Sequence, residues 1–578
     1  MYEVVVGIDF GSSGSGYAYS FYNKDDINHG IIFGANVDNK VPTEIILDDK
    51  NFIIQFGAEC KHYLKEKGIN IGHYFKDIKI QLYNKNKFIK AKNSGKELPL
   101  KLVIQKILEK LKELAINEIK SKKPLISESK IKWVVTVPAI WGENEKGVMM
   151  DACMEAGLID QNTDKSLFFS LEPEAASLYC LNNGNIDKTF FKEGEYYIIC
   201  DLGGGTGDIV AHLVGSNENL SEIHQACGGI YGSNEIDRLI FEDIIYSLFG
   251  CKNFTDFLSK YKIKDNENVD EGILFNDWCE LEREIKDFKE GTNNIKIGNN
   301  EKCPINFSLF QDIFDENIDL NDLVDRYNQK ITEIDFKLNV RSKRKWIIEF
   351  PYKIVYKYIN QQANSICEII KNIHAKNNED IKTLIFVGGY SSNEVLVSLI
   401  KNGLTNILNI LMPTKPSLAV MEGAVIFGMN PYMIIKRKAK YTIGSSFWDD
   451  WDENKHSERG KKVYFSDIGK WKCQECFTKF ITINQDLKLN DVISHSYHMI
   501  GKRSCLIKFF KTKKSNPIFS FEEGVILIGE CELDAGKDYN SYEEREFVVN
   551  LKFGGTFIDV NAIHLKSGKN INVKFNFA

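Results

Sequence analysis

Two rhythms of apolar residues alternate along the first 435 positions: short β-branched runs, and longer stretches in which apolar residues recur every third or fourth place. Residues 4–21 (VVVGIDFGSSGSGYAYSF) and 196–214 (YYIICDLGGGTGDIVAHLV) follow one plan, a hydrophobic strand ending in Asp, a Gly/Ser/Thr turn and a second strand. Each predicts a β-hairpin whose glycines supply positive φ and close backbone approach. Their recurrence predicts an internally duplicated α/β fold. Apolar spacing predicts a helix over 102–120, a buried strand over 133–137 (WVVTV) that Pro138 ends, and a helix over 143–156. The second set comprises a helix over 174–181, the strand over 196–201 and a helix over 234–248. TLIFV at 383–387 predicts a short strand running into Gly388 and Gly389, with helices over 393–400 and 419–428 behind it.

Beyond about residue 440 the helical period gives way to short alternating segments between Gly, Asp and Asn turns. Strands are predicted over 476–483, 505–511, 525–533, 547–553 and 570–577, forming a separate β domain. The run SSFWDDWDENKHSERG (445–460) mixes aromatics with acids and reads as a solvated loop, a partner-binding loop being the sharper alternative. Residues 299–322 are acidic and irregular and receive no role.

A chain of 578 residues with 43% hydrophobic and 27% charged content is long enough for several domains, each with its own core. No apolar run reaches the roughly 20 residues of a membrane span, and residues 1–20 lack the ends of a signal peptide. A net charge of −6 without a basic block implies neither nucleic acid nor an anionic membrane as partner. Thirteen scattered cysteines suit a reducing compartment, the cytosol or nucleus. The one close pair, Cys473 and Cys476 in KWKCQECF, has zinc-knuckle spacing, yet no second CxxC or HxxxH follows within reach. The pair is therefore left without a metal assignment.

Two facing Gly/Ser/Thr hairpins, each with Asp at a strand end, supply what a triphosphate and its magnesium require: backbone amides for phosphate oxygens and carboxylates for a hydrated cation. On this reading Gly11, Ser12 and Ser13 embrace one side of the phosphates, and Gly203, Gly204, Gly205 and Thr206 the other. Asp9, Asp201 and Asp208 surround the metal and the attacking water. The plain alternative is two ordinary turns, which the repetition on matching strands disfavours.

GIDFGSSGSG, TVPAIW, LEPEAA, DLGGGTGD and FVGGYSS stand in the order and approximate spacing of the nucleotide-binding domain of the 70-kDa heat-shock proteins, within the actin and sugar-kinase superfamily. The chain resembles that family, and most closely its divergent subfamily 12, through SGYA after GIDFG and through FKDIKIQL. The resemblance implies a duplicated actin-like (ribonuclease H-like) ATPase domain, with lobe I over 1–190 and lobe II over 191–435, bound to ATP or ADP with Mg2+. It further implies that Gly388 and Gly389 form the adenosine motif, that Glu172 of LEPEAA is a carboxylate near metal and water, and that Pro138 takes part in interdomain signalling. Lys79 is the candidate for the lysine that orients water, with Lys76 second. Glu282 and Lys286, on NDWCELEREIKDF, are candidates for the adenine clamp, although an amphipathic helix face explains them equally well. Tyr390, Ser391 and Ser392 replace the family's Ser, Thr and adenine-stacking Arg, and no hydrophobic interdomain linker is recognisable between Met429 and Tyr441.

Residues 441–578 resemble the family's β-sandwich substrate domain without its helical lid, an unrelated β domain being the alternative. The implied function is a slow ATPase with chaperone-like, stress-related action on peptide clients, aided by co-chaperones. A nucleotide-gated interaction module with little turnover is the second reading, and a small-molecule kinase the third.

Overall fold

In the computed structural model, residues 2–22, 32, 40–159, 166–182, 184–252, 256–257, 260, 271–292, 301–307, 319–377, 380–404, 409–456, 459–488, 490–553 and 558–574 are described. The N-terminal segment Val4–Asp9 forms β1, and every residue in it is buried, as a six-residue apolar run in a central strand requires. It pairs antiparallel with β2 (Gly14–Phe21), which pairs with β3 (Lys40–Pro42). On its other side β1 lies parallel to β4 (Ile131–Val137), and β4 parallel to β5 (Leu167–Leu171).

The second sheet repeats this connectivity. Strands β6 (Tyr196–Leu202), β7 (Gly207–Val214) and β8 (Leu220–Gly229) form the antiparallel part, while β6 continues in parallel to β9 (Thr383–Val387) and β10 (Asn409–Leu411). The first sheet thus runs β5-β4-β1-β2-β3 and the second β10-β9-β6-β7-β8, so the predicted duplication is present at the level of strand order. The helices Glu172–Asn182 and Ala419–Met429 are buried along their whole lengths and pack against each other, with Gly423 admitting the Ala175 backbone. Aliphatic side chains of both sheets meet these helices in one core, and a second core lies on the opposite face of the second sheet. The helix predicted over 234–248 is divided: α-helical at Ser233–Ile240, π-helical at Phe241–Ile245 and α-helical again at Tyr246–Phe249.

Strand β11 (Ile434–Lys438) adds to the second sheet beside β8, and a short strand at Asp486–Lys488 pairs onto it, so the C-terminal region is joined to that sheet through its edge. Arg437 reinforces the junction with a bidentate pair to the buried Glu174, at 2.6 and 2.8 Å. Beyond it lie a five-stranded sheet, containing β12 (Thr442–Asp450), β13 (Lys461–Phe465) and β14 (Lys470–Ile481), and a four-stranded sheet. Ile507, Phe509 and Ile528 of the first share a core with Phe547, Leu551 and Val560 of the second.

The solvated loop expected over 445–460 is instead half of β12 followed by a helical turn, Glu453–His456. Thr442, Ser445 and Phe447 face inward there, and Ser445 Oγ bonds the Tyr497 hydroxyl at 3.1 Å. Small and hydroxyl residues hide this strand from a hydrophobicity pattern. Part of the irregular 299–322 stretch is a strand, Lys302–Asn306, while 308–318 falls outside the described residues, as do 575–577 of the last predicted strand. Among the described residues no helix is long and apolar enough to cross a membrane.

Candidate functional site

The ends of β1, β6 and β7 deliver three buried carboxylates, Asp9, Asp201 and Asp208. Asp201 and Asp208 stand directly opposite each other across the antiparallel β6–β7 pair. Two like charges in that position repel unless a cation or a proton intervenes. A fourth carboxylate, Glu172, opens its helix behind them and pairs with Lys79 Nζ at 2.5 Å, both groups being buried. Lys79 comes from the helix Ile78–Tyr83, and the Trp141 ring lies beside its ammonium at 5.7 Å. Lys40, on β3, reaches Asp9 at 2.7 Å.

These groups perturb one another as charges in a low dielectric must. Burial pushes the Asp201 carboxyl up to about 7, with Asp208 and Asp9 adding repulsion. Burial likewise raises Asp208 to about 6, against the stabilising Ile140 N–H and Lys79. Glu172 rises to about 8, again chiefly by burial, with Lys79 pulling the other way and the three aspartates reinforcing the rise. Burial pulls the Lys40 ammonium down, yet Asp9, Asp201 and Glu172 outweigh it and leave Lys40 raised. When fully ionised, the four carboxylates outnumber the two ammonium groups paired with them by two in a buried space, which is why they hold protons in the absence of a cation. A hard divalent cation with oxygen ligands fits that excess.

The turns close over the cluster. Thr43 Oγ1 donates to the Gly11 carbonyl at 2.7 Å, and the Gly11 N–H donates to Ser15 Oγ at 3.2 Å. On the other hairpin, the carbonyls of Gly203, Gly204 and Gly205 accept from Ser233, Asn234 and Gly232 at 3.3, 2.8 and 3.3 Å. Because C=O and N–H of a trans peptide point in opposite directions, the N–H groups of Gly204, Gly205 and Thr206 face away from that helix start. Ser12 and Ser13 lie against this turn so closely that a Cβ on Gly204 would fall 1.7 Å from Ser13 Oγ, and one on Gly205 2.4 Å from Ser12 Oγ, and Ser13 Oγ donates to Asn234 Oδ1 at 3.0 Å. Thr206 is buried beside them. Gly388, with φ of +84°, brings the backbone after β9 against Asp201, and a Cβ there would sit 2.5 Å from Asp201 Oδ1. Gly389 opens onto free space.

The remaining sequence candidates lie further out. Glu282 pairs with Lys76, joining the helix Glu271–Gly291 to the segment before Lys79, and both line a cavity of about 610 Å³ that shares no lining residue with the carboxylate cluster. Lys286 is exposed and pairs with Glu290 on its own helix at 3.8 Å. One helical turn on, Lys289 is buried instead, donating to the Ser233 carbonyl at 3.1 Å and to Asp237 Oδ2 at 2.6 Å. Asp237 Oδ1 is buried without a partner. Tyr390, the first residue after the glycines, turns inward and donates its hydroxyl to Gln362 at 3.0 Å, while Ser392, at the position of the family's arginine, donates to the Gly389 carbonyl at 2.6 Å.

Sequence reasoning missed Lys40, Lys289, Asp237 and Trp141. Trp141 lay within the quoted TVPAIW and was detectable as the aromatic after a motif proline, whereas Lys40 and Lys289 belong to no local pattern.

Duplicated sheets converging on four buried carboxylates, in a mixed α/β chain, define the class of protein, and comparison with known proteins agrees. The family model described as Hsp70 protein matches residues 47–260. Over nearly its whole length the chain shows distant homology to proteins of the Hsp70 family. It is similar to heat shock 70 kDa protein 12A of Homo sapiens, with 26% identity over 99% of this chain and 91% of that protein, and equally to the Mus musculus protein of the same name. Heat shock 70 kDa protein 12B of Homo sapiens is 25% identical over 100% of this chain and 91% of its own length.

Proposed function

We propose that this chain binds magnesium-ATP between two actin-like lobes, residues 1–190 and 191–435, hydrolyses it slowly, and changes conformation with nucleotide state. The observation that carries this reading is the buried Asp201–Asp208 pair of one hairpin meeting Asp9 of its sister. Asp9, Asp201 and Asp208 would hold Mg2+, which when bound supplies charge neutralisation at the phosphates. The N–H groups of Gly204 and Gly205, with Ser12 and Ser13, would take phosphate oxygens. Lys79 and Glu172, locked together at 2.5 Å, would position the attacking water, Thr206 would contact the terminal phosphate, and Asp208 would accept the proton. At the other end, the unpartnered Asp237 Oδ1, close enough to Tyr390 to act on it electrostatically, offers an acceptor for a ribose hydroxyl or a base amine.

The C-terminal sheets, residues 441–578, would act as a β-sandwich for extended peptide, in the manner of a chaperone. Calorimetry of magnesium-ATP with single-turnover hydrolysis tests the reading: binding with turnover that disappears in Asp208→Asn supports it, and no binding sinks it. A second reading, nucleotide binding with negligible turnover, draws on Ser392, which stands at the position of the family's adenine-stacking arginine, bonds the Gly389 carbonyl and offers no cation to stack on a base. Binding without single-turnover product would select it.

A further inference from the structure

One buried cluster in the C-terminal region has no part in the nucleotide reading. His456 closes the helical turn Glu453–His456 and is fully buried. The Asp452 N–H donates to its Nδ1 at 3.1 Å, which fixes the ring so that Nε2 faces the Cys476 sulfur at 3.8 Å. Cys473 and Cys476, also buried, sit three residues apart on β14, where regular pleating would send them to opposite faces. Glu475 breaks the alternation with a left-handed φ of +56°, and the pairing of β14 with β12 slips between Phe447 and Asp449. Both thiols therefore turn to the same side, and Cys476 Sγ lies 3.5 Å from the Cys473 carbonyl.

The two sulfurs and one imidazole nitrogen all lie within 4.8 Å of one another. A tetrahedral zinc with Zn–S of about 2.3 Å holds its thiolates about 3.8 Å apart, so small side-chain adjustments suffice. The surroundings fit a closed metal knuckle. The Asp449 backbone N–H lies against the Cys476 sulfur, as a donor to a bound thiolate would. Trp451 and Phe519 wall the His456 ring with centroids 5.7 and 6.1 Å away. Gly460 closes the turn, its N–H donating to the His456 carbonyl at 2.8 Å, and a Cβ there would stand 2.8 Å from Cys473 Sγ. Because Nδ1 accepts the Asp452 N–H, the neutral ring carries its proton on Nε2, so zinc binding at Nε2 moves that proton to Nδ1 and turns the Asp452 N–H away.

We propose that His456, Cys473 and Cys476 bind one Zn2+, a site distinct from the magnesium-ATP cleft, with water or a carboxylate as fourth ligand. Soft thiolates with an imidazole select zinc over the hard cations suited to Asp9, Asp201 and Asp208. Binding releases the two thiol protons and staples the Glu453–His456 turn to β14, where the surrounding apolar cluster is small.

The test uses the full chain, loaded with zinc in reducing buffer and passed through a desalting column. Metal analysis is expected to return one zinc per chain. Cobalt exchanged into the site is expected to give thiolate-to-metal charge-transfer absorption and the visible bands of tetrahedral coordination. The variants Cys473→Ser, Cys476→Ser and His456→Ala should each retain less than about a tenth of the wild-type zinc, whereas Cys505→Ser should retain all of it. Absence of zinc from the loaded wild type overturns the proposal. So does a Cys473–Cys476 disulfide found by mass spectrometry in the freshly purified chain, or zinc that persists in the double serine variant. Should the variants fail to fold, the cobalt spectrum of the wild type decides alone.

Discussion

The cleft of Asp9, Asp201, Asp208 and Glu172 and the pocket of His456, Cys473 and Cys476 are two buried clusters built on opposite chemistry. The cleft concentrates hard oxygens between two large cores and neutralises part of their charge internally, through Lys40 and Lys79. The pocket collects soft, neutral ligands under a thin apolar cover, with no charged partner among them. A cleft of the first kind remains folded while its cation comes and goes, as a turnover site must. A pocket of the second kind gains much of its order from the ion, as structural zinc sites do. Same burial, different exchange.

Experiments that separate the two regions follow from this contrast. The largest effect belongs to Asp208→Asn, expected to lower single-turnover hydrolysis by about 10²–10³-fold while zinc content stays at its wild-type value, read by quench-flow and metal analysis. Next is Lys79→Met, which leaves the buried Glu172 carboxyl without its partner. Calorimetric unfolding of the nucleotide-free chain should show a loss of about 3–5 kcal/mol, largely restored by adding Glu172→Gln. Chelation of zinc should then lower the thermal midpoint of the C-terminal transition by several degrees, yet change magnesium-ATP affinity by less than about twofold.

A smaller effect is set by pH in the metal-free chain. Asp208, Asp201 and Glu172 are raised to about 6, 7 and 8, above their unfolded values, so the folded state holds more protons across that interval. Their contribution is complete below about pH 4 and is lost as pH rises to about 8, so the melting temperature should fall over that range, and magnesium-ATP should flatten the fall. Zinc retention should move the opposite way, improving as the thiols deprotonate. The smallest effect is Lys286→Ala, which removes an exposed i,i+4 pair and should alter stability by under about 0.5 kcal/mol, whereas Lys289→Ala should weaken nucleotide binding measurably.

Sequence made the cleft legible because phosphate hairpins are local objects: glycines, hydroxyls and a terminal Asp lie within one turn, and their repetition announces the duplicated sheets. Lys79 was reachable through the FKDIKIQL stretch. Lys40 was not, since its pairing with Asp9 spans 31 residues and depends on a third strand that carries no motif. On the helix Glu271–Gly291, expected to clamp adenine, the register mattered: Lys286 and Lys289 are neighbours three residues apart, yet one is exposed and the other buried, and only packing distinguishes them. The pocket was half legible. Cys473 and Cys476 gave a spacing, but the third ligand precedes them, in a run of acids and aromatics whose polarity suggested solvent. Local strand and turn geometry, invisible to spacing rules, joined the two.

Residues Ala139 and Ile140, after the strand-ending Pro138, are held from two sides. Asp208 accepts the Ile140 N–H at 2.9 Å, while Lys440, at the threshold of the C-terminal sheets, donates to the Ala139 carbonyl. One dipeptide is thereby a shared ledge between the carboxylate cleft and the start of β12. An occupant of the cleft that shifts Asp208 pulls on one end of this ledge, and Lys440 holds the other. Thermodynamic reciprocity then requires that a ligand of the C-terminal sheets acting through this ledge alter nucleotide affinity by the same factor by which nucleotide alters its own.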